Sequence, residues 1–215
     1  MARRSLRKPK TPLDLSRYLR TFDDLPRPWD ASRLFGRVAP LEIEVGSGKG
    51  LFLRSAAAGR PDVDFLGSEV AKKYAEFAAA GLCKAGLTNA VVLSGDALRL
   101  FAELVPERSL AAVHVYFPDP WWKKRHKKRR VMRDSFLRDV QRTLQPGGSL
   151  HFWTDVEEYF QTTLELLAAV TTLEGPLVVA ESEAQHDMDY RTHFERRTRL
   201  HGETVFRAEF RKPPG

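Results

Sequence analysis

The chain has 215 residues, 42% of them hydrophobic, enough for one substantial core and few for two. Its lone cysteine, Cys83, excludes an internal disulfide framework, and no Cys/His cluster has zinc-site spacing, so no metal is expected. No apolar run reaches membrane-spanning length, and the opening MARRSLRKPKTPLDL lacks the apolar middle of a secretory signal; a cytoplasmic protein with no membrane partner is expected. The formal net charge is +7, with five basic groups in residues 1–10, eight in residues 121–133 and no acid in either stretch. Without these two segments the chain stands at about −6, the pattern of a mildly acidic body that holds a polyanion along a track. A basic run is also compatible with a solvated charged face.

In chain order, residues 1 to 37 are rich in Arg, Pro and Asp with little apolar periodicity, which predicts a flexible basic arm and an irregular lead-in. A single domain is expected over 38–215. LEIEV (41–45) reads as a strand, followed by a helix over 50–58, the strand VDFLGSE (63–69), a helix over 70–85, the strand AVVLS (90–94) and a helix over 97–104. Then come LAAVHVYF (110–117), a helix near 133–144, SLHFWT (149–154) and a helix near 157–170. Such alternation implies crossovers and an α/β, mainly parallel, doubly wound sheet. PLVVAES (176–182) and TVFRAEF (204–210) break the rhythm and predict an antiparallel pair at its end. A seven-stranded sheet closing with a reversed strand is, by analogy of fold, the Rossmann-like arrangement of class I S-adenosylmethionine-dependent methyltransferases.

LEIEVGSGKG places Glu44 at a strand end and Gly46, Gly48 and Gly50 in the turn into a helix. Glycines there permit positive φ and close backbone approach to a ligand. The spacing is G-x-G-x-G and not the G-x-G-x-x-G of dinucleotide binders, which favours S-adenosylmethionine over a nicotinamide cofactor. Glu69 ends the second long strand, where a carboxylate can accept from both ribose hydroxyls, and Asp96 follows the third, within reach of an adenine amino group. Each acid has a plainer reading as the cap of the next helix.

The most specific stretch is VHVYFPDPWWKKRHKKRRV, residues 113–131. Pro118 and Pro120 end the strand and stiffen the loop around Asp119, which suits a carboxylate that must be held ready at the cofactor edge. Trp121 and Trp122 can cover a cofactor, stack a base or enter the core. His114, inside the strand, and His126, inside the basic strip, both have structural readings. RTHFERR, with Thr192 and Glu195 three apart, is compatible with a capping box at a helix start.

The Phe-Pro-Asp-Pro-Trp segment with its basic run resembles the signature of the bacterial tRNA (guanine-N7)-methyltransferase family. The glycine turn, Glu69, Asp96, Thr154-Asp155 and Thr192-x-Phe194-Glu195 follow in the same order, over residues 38 to 211. The resemblance implies S-adenosylmethionine as cofactor, held by Glu44, Gly46, Gly48, Glu69, Asp96 and Asp119. It implies tRNA as partner and the variable-loop guanosine as target, with Lys123, Arg125, His126, Asp155, Thr192, His193, Phe194 and Glu195 on the substrate side and Asp119 catalytic. Trp122 departs from the family pattern. The chain is expected to act as a monomer or homodimer. Two rival readings stay open from the residues alone: a methyltransferase acting on another RNA or a protein, and a non-enzymatic RNA-binding module.

Overall fold

The computed structural model describes residues 13–121, 124–177, 179 and 190–214. Five strands, β2 (Leu41–Val45), β3 (Asp64–Glu69), β4 (Ala90–Ser94), β5 (Leu110–Tyr116) and β6 (Leu144–Thr154), pair in parallel. At one edge β8 (Phe206–Arg211) runs antiparallel to β6, and β7 (Glu174–Leu177) antiparallel to β8. At the other, β1 (Leu19–Arg20) lies parallel to β4, giving the order β1-β4-β3-β2-β5-β6-β8-β7. The order reverses between β2 and β5, and open α/β sheets take their ligands in the crevice outside the strand carboxyl ends at such a point.

Among the described residues eight strands replace the expected seven, because β1 comes from the lead-in. Tyr18, Leu25 and Phe35 are all buried there, but they stand seven and ten residues apart among Arg, Pro and Asp, too sparse a pattern to mark a strand. A second difference concerns Pro146-Gly147-Gly148. These residues do not precede a strand but bulge out of one: Leu110 pairs with Leu144, Ala112 with Ser149, and Gly147 (φ +78°) donates to Lys212 O. The strand expected over 176–182 starts earlier, at Glu174, and most of it beyond Leu177 falls outside the described residues.

Helices α2 (Leu51–Gly59) and α3 (Lys72–Ala85) supply one apolar face, and α4 (Ala97–Glu103), α5 (Asp134–Thr143) and α6 (Glu157–Val170) the other. In α3 the buried positions Ala75, Ala78, Ala79 and Leu82 fall at helical spacing, and Gly86 closes the helix in the left-handed region at φ +63°. Along β2, Leu41, Ile43 and Val45 join the cluster beneath α4–α6, so strand alternation turns Glu42 and Glu44 toward the α2–α3 layer. The last helix, α7 (His193–Leu200), stands just before β8. No helix of the described residues is long and apolar enough to cross a membrane.

Candidate active site

The turn after β2 is shaped by its glycines. Gly46, Gly48 and Gly50 have φ of +79°, +53° and +72°, and a side chain on Gly50 would come within 2.7 Å of Ala78 Cβ. Gly46 and Gly48 instead face open space. The backbone N–H groups of Gly46 and Ser47 donate to Ser68 O, and that of Gly48 donates to Glu69 Oε2 at 2.9 Å. Gly67, which the sequence motif does not single out, lets this turn settle on β3: a Cβ there would overlap Ser47 Oγ and Leu53 Cδ1.

A cavity of about 250 Å³ opens beside the turn. Gly46, Ser47 and Gly48 form one side, Phe52, Tyr116 and Phe117 contribute from the sheet and α2, and Thr192, His193 and Phe194 line it from the start of α7. Of the residues expected in the site, the structure therefore gathers Gly46, Gly48, Thr192, His193 and Phe194 on one wall system. Glu44, Glu69, Asp96, Asp119, Asp155, Arg125, His126 and Glu195 are not on that wall, and Lys123 lies outside the described residues.

Each of these other residues has a definite place. Glu44 is 2% exposed, and burial pushes its carboxyl up to about 8 against the hydrogen bond from Ser47, with Glu69 adding to the rise. Its Oε2 has no hydrogen-bond partner among the described residues. Glu69 bridges two loops, accepting from Gly48 N–H and, at 2.8 Å, from Ala71 N–H. Asp96 caps α4 by accepting from Leu98 N–H at 2.9 Å and is exposed. Asp155 sits partly exposed in the β6–α6 turn, where Thr154 Oγ1 accepts from Val156 N–H.

The proline loop is anchored from the basic strip. Arg130 Nε donates to Pro120 O at 2.7 Å, and its guanidinium lies 4.6 Å above the Tyr159 ring. Arg130 is 9% exposed, which corrects the expectation that it belongs to the phosphate-neutralising strip: desolvated and committed to the loop, it holds Asp119 in place. Asp119 itself is exposed, and its charge is felt at Tyr159. Trp121, at φ +44°, packs on His126 and carries Arg129 at 5.1 Å, so His126 is held by an aromatic contact. Arg125, Lys128 and Arg129 are exposed on the 3₁₀ turn Lys124–Arg129, and Arg133 is exposed just beyond it; the side chains of Lys124 and Lys127 lie outside the described set.

At α7 the threonine half of the capping box is realised, while the acid reaches one residue further back than the cap. Thr192 Oγ1 accepts from Glu195 N–H, and Glu195 Oε2 accepts from Arg191 N–H. Glu195 Oε1 faces Arg199 and Arg207, each at 3.4 Å, and the residue is 2% exposed. Its carboxylate therefore secures the helix start, whose outer residues line the cavity. Arg191 adds a second clasp over the Phe52 and Trp153 rings.

Beneath the cavity floor runs a polar chain that sequence reasoning missed. Arg60 pairs bidentately with Glu42 at 2.6 and 2.8 Å, Glu42 with His114 Nε2 at 2.8 Å, and His114 Nδ1 with the Tyr116 hydroxyl at 2.9 Å. Burial alone would raise Glu42, but His114 and Arg60 bring it down to about 2; burial holds His114 below its usual range despite Glu42. A neutral His114 then donates to Glu42 and accepts from Tyr116. The alternation of LEIEV, with acids on the inward face, was the available signal.

These features define an α/β methyltransferase-type domain. The solved 16S rRNA methyltransferase KamB superposes on 86% of this chain and 93% of its own, with a TM-score of 0.62 at 17% identity, a likeness of fold alone. The model of a family described as putative methyltransferase matches residues 38–208. The chain is 50% identical to the tRNA (guanine-N(7)-)-methyltransferase of Rhodopirellula baltica over 99% of its own length and 80% of the relative's. With the enzyme of that name from Paracidovorax citrulli it shares 39% identity over 88% and 76%. The chain belongs to the tRNA (guanine-N(7)-)-methyltransferase family.

Proposed function

We propose that this chain methylates N7 of a guanosine in tRNA, with S-adenosylmethionine as methyl donor. The observation that carries the reading is the meeting of the glycine turn and the Thr192–Phe194 segment on one cavity, in a chain half identical to an enzyme of that name. The residues present fit the cofactor: Gly46 and Gly48 leave open space, and Glu44 offers a buried oxygen that has no partner among the described residues. Glu69 would hold the ribose hydroxyls, Asp96 the adenine amino group and Glu44 the ammonium end. When bound, the cofactor supplies a sulfonium-activated methyl carbon; an N–C bond forms as the C–S bond breaks, its electron pair staying on sulfur.

Guanine N7 has a free lone pair at neutral pH, so no base has to remove a proton from it. The chain's contribution is to hold and orient the guanosine and to place negative charge near a purine that becomes cationic, the role assigned to Asp119. Arg125, Lys128 and Arg129 neutralise phosphates and set the RNA's register without reading bases. The deciding experiment incubates unmodified tRNA with methyl-labelled S-adenosylmethionine and digests it to nucleosides. Label in 7-methylguanosine is the expected result; label elsewhere or nowhere overturns the reading.

Two further outcomes follow. Glu69→Ala should weaken S-adenosylmethionine binding by about ten-fold or more, because it removes both the ribose acceptor and the anchor of Gly48 N–H; unchanged affinity by calorimetry would take Glu69 out of the site. Alanine at Arg125, Lys128 and Arg129 together should flatten the dependence of log affinity for tRNA on log salt by about 2. An unaltered slope would make the strip a solvated face.

A further inference from the structure

Phe117 holds a conformation that a bulky side chain rarely adopts, with φ at +51°. Its N–H donates to Trp153 O at 2.8 Å, and Pro118 follows at once, so the bend is fixed from both sides. The ring ends up on the cavity wall. There it meets Phe194, from the first turn of α7, with 5.1 Å between centroids and 34° between planes. Phe194 is 37% exposed and carries Arg197 at 4.2 Å. Two rings far apart in the sequence are thus brought together beside the glycine turn, Phe117 half-buried against the core of the α2–α3 side and Phe194 left partly open.

We propose that Phe117, backed by Phe194, is the aromatic wall on which the target guanine stacks, and that it favours the methylated, cationic base over the neutral one. The inference rests on the reading of this chain as a guanosine-N7 methyltransferase and adds the residue that holds the base. When the N–C bond forms and the C–S bond breaks, the positive charge leaves sulfur and enters the purine ring. A π face attracts a cation placed over it, so an aromatic wall gains interaction as the charge develops, whereas a neutral guanine gains stacking alone. Interaction that grows along the reaction accelerates it. Arg197 already lies over the Phe194 ring, which leaves Phe117 to carry the preference.

The test compares two tRNAs that differ only in the N7 methyl of the target guanosine, bound to the wild-type chain, to Phe117→Leu and to Phe117→Tyr. The wild-type chain should bind the methylated tRNA about five- to ten-fold more tightly. Phe117→Leu should bind the two alike, with kcat about ten-fold lower and both KM for tRNA and S-adenosylmethionine affinity within two-fold. Phe117→Tyr should keep the preference and the rate. Equal binding of both tRNAs by the wild-type chain overturns the proposal, and so does a Leu variant that retains the preference. A Leu variant whose S-adenosylmethionine affinity falls in step with kcat also overturns it, since the ring would then pack on the cofactor. Should Phe117→Leu fail to fold in a thermal melt, the wild-type comparison decides alone. If the wild-type chain forms no 7-methylguanosine, the proposed function falls and takes this inference with it; if it does, and Phe117→Leu behaves as wild type, only the inference falls.

Discussion

Asp119→Ala is expected to fold with an unchanged melting temperature and to lose methyl transfer about a hundred-fold, mainly in kcat. The expectation of normal folding comes from exposure: Asp119 stands in solvent, and what anchors its loop is the Pro120 carbonyl on Arg130 and the bracketing prolines, none of which the substitution removes. The loss of rate follows from placement. Asp119 is two residues beyond Phe117, which lines the cavity, and the loop between them is proline-stiffened, so little entropy is lost in aiming the carboxylate at a base that enters there. Single-turnover methyl incorporation into tRNA, alongside a melt, reads both halves. A variant that turns over at the wild-type rate would remove Asp119 from the chemistry and leave the loop as scaffold. Arg130→Ala offers the converse comparison, since it frees the loop while keeping the carboxylate.

The strand–helix alternation, the glycine turn and the Thr192–Glu195 cap were legible because each is written in neighbouring residues: period, positive-φ glycines, a polar cap three positions from an acid. What depended on distant partners was not. Arg130 reads as one more cation in a basic run, and only Pro120 O and the Tyr159 ring reveal it as a brace. Glu195 reads as a substrate-side acid through resemblance, and nothing local announces that Arg199 and Arg207 also meet its carboxylate, from the helix and from β8. Gly67 looks like an ordinary strand residue until Ser47 and Leu53 are packed against it. Phe117 ends an apolar run and does pack against the core, but its left-handed backbone and its place on the cavity wall have no sequence signature apart from the proline that follows.

Glu44 should make both stability and cofactor binding depend on pH. Folded, its carboxyl is pushed up to about 8, chiefly by burial, from an ordinary 4.5. Between those values the folded chain keeps a proton that the unfolded chain gives up, so this group's contribution to stability is complete below about 4.5 and is lost as pH rises toward 8. The loss amounts to on the order of 5 kcal/mol. Glu44→Gln keeps the shape and cannot ionise, so the variant should overtake the wild-type chain in denaturant stability as pH is raised from 5 to 8. Binding should respond the other way. A cationic ammonium brought to the unpartnered Oε2 favours the ionised carboxylate, so S-adenosylmethionine should tighten with rising pH in the wild-type chain and release a proton near neutrality. Calorimetry in buffers of different ionisation heat would register that proton. In Glu44→Gln the affinity should be about ten-fold lower and the buffer dependence gone. Parallel stability curves for the two proteins would show that Glu44 is already ionised in the folded chain, and an undiminished, pH-dependent affinity in the variant would move the ammonium site elsewhere on the glycine turn.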